Sequence, residues 1–89
     1  MGTINSVASL YQMLKKMYPN DIALLRGREE LKAYNEDAEL LEEILNITPR
    51  KIQLGGILKK VVVFRKEDSR EYINIIRQHG HMVRIADHI

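Results

Sequence analysis

Apolar residues recur near the start of the chain at steps of three and four. Ile4, Val7, Ala8, Tyr11, Leu14 and Tyr18 fall on one helical face, and Leu10, Met13 and Met17 widen it. The spacing predicts a helix over residues 4–17, capped by Thr3 or Asn5. Pro19 ends it, because the residue before a proline is pushed out of the α region, and Pro-Asn-Asp then turns the chain. Methionines at helical spacing read as core.

The period then changes. Ile22 to Arg26 is a short apolar run suited to a buried strand, and Gly27 permits a tight turn. From Glu29 to Tyr34, Leu31 and Ala33 face one way while Glu30, Lys32 and Tyr34 face the other, the pattern of a strand with one wet face. The two segments predict a hairpin with Gly27-Arg28 at its tip. Asn35 is the expected N-cap of a second helix, with Glu36, Asp37 and Glu39 at its positive end. Ala38, Leu41, Ile44 and Leu45 form its buried face, Leu40 flanks them, and Pro49 forbids continuation past Thr48. Lys51 to Leu54 and Lys60 to Phe64 read as two strands around Gly55-Gly56, the second stiffened by three valines. Asp68 with Glu71 resembles a capping box for a third helix. Tyr72, Ile73, Ile75 and Ile76 supply its apolar residues, and Gly80 its stop. Met82 to Ala86 is the final strand. The order α-β-β-α-β-β-α-β predicts an α/β (α+β) two-layer sandwich, a mixed sheet with helices packed against it.

Length and composition narrow the class. Eighty-nine residues make a single domain spanning residues 1–89, and 45% hydrophobic with 29% charged residues excludes disordered and low-complexity classes. The absence of cysteine excludes disulfides and thiolate sites, and with no apolar run near membrane-spanning length a cytoplasmic location is expected. The net charge of +2 hides a division. Residues 1–48 carry 5 Lys/Arg against 8 Asp/Glu, and residues 49–89 carry 9 against 4, so −3 faces +5. Arg50, Lys51, Lys59, Lys60, Arg65 and Lys66 lie in a stretch without a single acid, a candidate phosphate footprint. The plainer alternative is a solubilising charged edge.

Motifs for catalysis are absent. There is no Walker A loop, GxGxxG or HExxH, and no nucleophile elbow. His79, His81 and His88 do not make a zinc-ligand pattern. The adjacent pairs Glu29-Glu30 and Glu42-Glu43 diverge on a strand or helix. No enzyme, catalytic residue, metal or cofactor is expected.

The ordered series Tyr18-Pro19, Ile22 to Arg26, Ala33 to Glu39, and Leu45-Asn46-Ile47-Thr48 resembles the N-terminal mismatch-recognition domain of the DNA mismatch repair protein MutS. Tyr72-Ile73, Ile75-Ile76, Gly80, Val83 and Ile85-Ala86 continue the resemblance to the end of the chain. It implies that domain's fold. It also implies where mismatch reading would occur: an aromatic wedge at position 30 and a glutamate at position 32. Here those positions hold Glu30 and Lys32. A wedge that unstacks a base step must be apolar, which Glu30 is not. The length leaves no room for the clamp and ATPase domains of MutS, so a stand-alone divergent copy is expected.

Two functions follow. One is non-catalytic nucleic-acid binding through Arg50, Lys51, Lys59, Lys60, Arg65 and Lys66, joined by Arg28 and Lys32, with salt-dependent affinity for DNA and little sequence specificity. The other is a protein-interaction or homodimeric accessory module that kept the scaffold; no membrane partner is expected. A shared face for the basic run and the hairpin favours the first, and a run divided around the fold favours the second.

Overall fold

The computed structural model describes residues 7–88. Ile4 and the expected caps Thr3 and Asn5 lie outside the described residues. Three helices and five strands follow in the expected order: α1 (Val7–Met17), β1 (Ile22–Arg26), β2 (Glu30–Tyr34), α2 (Asn35–Leu45), β3 (Arg50–Leu54), β4 (Leu58–Arg65), α3 (Ser69–Gln78) and β5 (Val83–Asp87). The strands form one mixed sheet in the order β3-β4-β2-β1-β5. All neighbours are antiparallel except β1 and β5, which run parallel from Ile22↔Val83 to Arg26↔Asp87.

Alternation along the central strands assigns the helices to faces. Ile22 and Leu24 of β1 pack with Ala38 and Leu41 of α2 and Ile76 of α3. Ala23 and Leu25, pointing the other way, pack with Tyr11 and Leu14 of α1. The layer of α2 and α3 on the sheet is the expected sandwich, and α1 adds a partial third layer on the opposite face. Burial on both faces explains why β1 is an unbroken apolar run. It also corrects the expected wet face of β2, since Tyr34 is buried beneath α1.

One carboxylate ties these layers. Asp37 is the one charged side chain buried among the described residues. Its Oδ2 accepts from the Tyr11 hydroxyl at 2.5 Å and from the Ala23 backbone N–H at 3.1 Å. Its Oδ1 accepts from Lys15 Nζ at 3.1 Å. Burial, first, and the adjoining Asp37 push the Tyr11 hydroxyl well above its ordinary pKa, which keeps it a donor.

Several local signals resolve differently from expectation. Asn35 is not a side-chain cap: it sits in the left-handed region at φ 52°, and Tyr34 occupies the N-cap position. The Asn35 amide instead reaches the β3–β4 turn, donating to the Ile57 carbonyl at 3.0 Å and accepting from the Lys59 N–H at 2.8 Å. Asparagine tolerates this backbone because its short polar side chain finds local partners. Helix α2 stops at Asn46, also left-handed at φ 60°, before Pro49 can act. Asp68 occupies the N-cap of α3 without a capping bond, so the capping box does not form. A single 3-10 turn over Lys66–Asp68 leads in instead, closed by Ser69 Oγ donating to the Lys66 carbonyl at 2.7 Å. Met13 and Met17 are 51% and 59% exposed, so the methionine stripe is not core. The inward face of α1 is filled by Tyr11 and Leu14.

Asp37→Ala leaves the buried Ala23 N–H without its acceptor and the Lys15 ammonium with only the Asp21 carbonyl, at 2.6 Å, and should destabilise the domain by about 3 kcal/mol. Tyr11→Phe keeps the other two donors and should cost about 1 kcal/mol. Urea unfolding of both variants checks the order.

Candidate nucleic-acid interface

The antiparallel register of β3 with β4 decides where the basic residues meet. Arg50 lies opposite Val61, and Lys51 lies directly opposite Lys60. Lys59 follows one step back along β4. These four cations therefore gather at one edge of the sheet, although eight residues of sequence separate Lys51 from Lys60. Gly55 and Gly56, at φ 60° and 67°, turn the chain, with the Ile57 N–H closing onto the Leu54 carbonyl at 3.2 Å. Positive φ at both central residues is the hairpin turn geometry that glycine supplies without strain.

Lys51 and Lys60 are a like-charge pair in facing positions, which is unfavourable when nothing neutralises it. Glu39 of α2 relieves it by accepting from Lys60 Nζ at 2.6 Å. That hydrogen bond, and then the carboxylate's charge, hold the Lys60 ammonium above its ordinary pKa. Lys51, Lys59 and Lys60 line one groove of about 420 Å³ with Gln53 and Gly56. Arg50 projects to the opposite face of the sheet, where it borders a small depression with Lys32 and the apolar Ile52 and Val63.

Arg65 and Lys66 sit at the far end of β4, roughly 17 Å from Lys60 at the usual strand rise. They meet the β1–β2 hairpin: the Lys66 N–H donates to the Glu29 carbonyl at 2.8 Å, and Arg28, Glu29, Arg65, Lys66 and Glu67 line one shallow depression. Here the charges are mixed. Arg65 pairs with Glu67 at 3.1 Å, and Glu30 faces Arg65 across the β2–β4 ladder. Lys32 shares the face of Glu30, two residues along. The eight predicted cations thus divide into an edge group (Arg50, Lys51, Lys59, Lys60) and a hairpin-end group (Arg28, Arg65, Lys66), with Lys32 between them, beside Arg50 on one side and Arg28 on the other. Only the first is predominantly positive.

Two contributors to the edge are not marked by any motif. Gln53 lines the edge groove, and Glu39 tempers it. The hairpin turn at Gly55-Gly56 could have located Gln53 beside Lys51. Nothing in the sequence links Glu39 to Lys60. Among the described residues, no three His, Asp or Glu side chains are grouped to hold a metal ion, and no helix is long and apolar enough to cross a membrane.

The arrangement is that of a small mixed α/β domain with helices on both faces of its sheet and a cationic strand edge. A family model for MutS domain I matches residues 5–89, and the chain belongs to that family. A comparison with curated proteins finds no match.

Glu39→Gln removes the carboxylate beside Lys60. The Lys60 ammonium should then titrate at lower pH than in the native protein, as read by NMR of its Nζ or Cε resonance. An unchanged titration would mean that the pair is not formed in solution.

Proposed function

We propose that the chain is a non-catalytic, MutS-domain-I-like module that binds nucleic acid by phosphate contact, without an aromatic mismatch-reading wedge. The observation that carries this reading is the edge group. Arg50, Lys51, Lys59 and Lys60 converge on one strand pair, and among the described residues Glu39 is the single carboxylate paired to any of them. Neutralising phosphates with such residues releases counterions and gives affinity that falls steeply with salt.

Base reading is not supported. Every aromatic ring of the chain is already engaged. Tyr11 and Tyr34 meet edge-on at 5.3 Å, Phe64 and Tyr72 do so at 5.2 Å, and Arg84 lies 4.1 Å over the Tyr18 ring. Tyr11, Tyr34 and Phe64 are buried and Tyr18 and Tyr72 half-buried, so no exposed ring offers its face to a base, and base stacking is the usual source of affinity for unpaired strands. At the position where the family resemblance places the wedge, Glu30 is exposed and charged like the phosphates it would approach. Lys32 stands where a hydrogen-bonding carboxylate would be expected.

A second reading, a protein-interaction module, is favoured by the division of the basic run between the two ends of β4, since a shared face with the hairpin was the arrangement expected of a nucleic-acid surface, and it is favoured most at the hairpin end. The alternation of Arg28, Glu29, Glu30, Arg65, Lys66 and Glu67 suits a mixed-charge protein surface better than a phosphate backbone. The exposed Met13 and Met17 on α1 point the same way.

Titration of a labelled duplex at two salt concentrations tests the first reading. The native protein should bind more weakly as salt rises, with equal affinity for a G·T duplex and its matched control. Lys51→Ala and Lys59→Ala should each weaken binding for all sequences and lower the salt slope by about one. Arg28→Ala and Lys66→Ala should change it little. A native protein that does not bind at low salt sinks the nucleic-acid reading.

A further inference from the structure

The sheet has two edges, and they differ. At the β3 edge, Arg50 and Lys51 bring unpaired charge, and the β3–β4 register shifts between Lys51 and Leu54. Charge and irregularity are the devices by which natural sheets blunt an edge. The β5 edge has neither. Its pairing with β1 is regular over all five residues. Its two charges are already neutralised within the domain: Arg84 Nε donates to Asp21 Oδ2 at 2.8 Å, and Arg26 Nε donates to Asp87 Oδ1 at 2.6 Å. No described residue pairs with its outer side. Ile85 is 39% exposed on it, and Met82, just before it, 55%.

The direction of the free backbone groups follows from two hydrogen bonds. The Ile22 N–H donates to the Met82 carbonyl at 2.9 Å, and the His88 N–H donates to the Arg26 carbonyl at 2.8 Å. In a parallel ladder the residues of a strand alternate in the side to which they bond. The even positions, Met82, Arg84, Ala86 and His88, are therefore spent on β1. Val83, Ile85 and Asp87 aim both N–H and C=O outward.

We propose that β5 is a self-complementary docking edge at which a second copy of this chain adds antiparallel, continuing the sheet through a two-fold axis at Ile85. This register brings each outward residue opposite another: Ile85 meets its own copy, and Val83 meets Asp87. On these hydrogen-bonded positions every free N–H finds a C=O. The intervening positions place Arg84 opposite Ala86. No like charges face each other, and the exposed Ile85 side chains cover one another across the axis. Moving the axis one residue back to Arg84 would set two arginines face to face. The register that pairs all five residues is thus also the one the charges permit. A two-fold interface uses the same patch twice, which a self-complementary strand provides. The product is a ten-stranded sheet with a cationic β3 edge at each end. The proposal stands independently of what those edges bind.

Sedimentation equilibrium of the full chain over a concentration series tests it. The native protein should be a reversible dimer. Ile85→Pro removes an outward N–H without touching a bond to β1, and Ile85→Lys places two charges on the axis. Each should weaken dimerisation roughly tenfold or more, while the circular dichroism spectrum stays native. Lys51→Glu, on the other edge, should leave the dimer intact. A native protein that remains monomeric at its highest soluble concentration overturns the proposal. So does a dimer that survives Ile85→Lys, or one that Lys51→Glu dissociates.

Discussion

The Asp37 carboxylate is the point on which the domain's architecture turns. It lies in the first turn of α2, on one side of the sheet, yet accepts from Tyr11 and Lys15 of α1, which covers the other side. It also accepts from the Ala23 N–H at the start of β1. A buried carboxylate is costly unless its lone pairs are satisfied, so the geometry of three elements is set by the need to satisfy this one. The apolar clusters on the two faces supply most of the driving force for folding. Being non-directional, they do not by themselves fix where α1 sits.

The β3–β4 turn is anchored in the same neighbourhood. Asn35 begins α2 in a left-handed conformation, and its amide holds both sides of that turn. The hairpin that carries the edge cations is thereby tied to the helix that bears Glu39, and the Lys60–Glu39 pair follows from that tie. A charge group that could have been a loose arm is instead held at a defined edge of the sheet. Its opposite number, β5, presents no such charge because Asp21 and Arg26 neutralise its two charged residues. The two edges of one sheet thus differ in charge and in regularity.

Much of the candidate site is legible in the sequence. The acid-free run from Arg50 to Lys66 names the edge cations, and the glycine pair predicts the hairpin that joins them. The division of the run is not legible there. The eight-residue strand β4 carries Lys60 and Arg65 to opposite ends, and the partner at each end belongs to a distant part of the chain. At one end that partner is Glu39; at the other it is the β1–β2 hairpin with its glutamates. The same limit applies to Asn35 and Met13. Asparagine before an acidic helix start is a good local cap signal, and methionine at helical spacing a good core signal. Both are overruled by what the tertiary fold puts beside them.

By itself the sequence determined the kind and order of the elements, the buried strand β1, and the identity of the cationic residues. Those properties depend on local periodicity, turn chemistry and composition, which reside in neighbouring positions. Only the tertiary structure decided that α1 lies opposite α2 and α3, that Asp37 is buried, and that the basic residues form two groups rather than one. It also decided which backbone groups of β5 are left over. These outcomes depend on strand register and on pairs separated by twenty residues or more, such as Lys60 with Glu39 and Arg26 with Asp87. No local pattern encodes such a pair, because its energy exists only once the chain has closed the loop between its members.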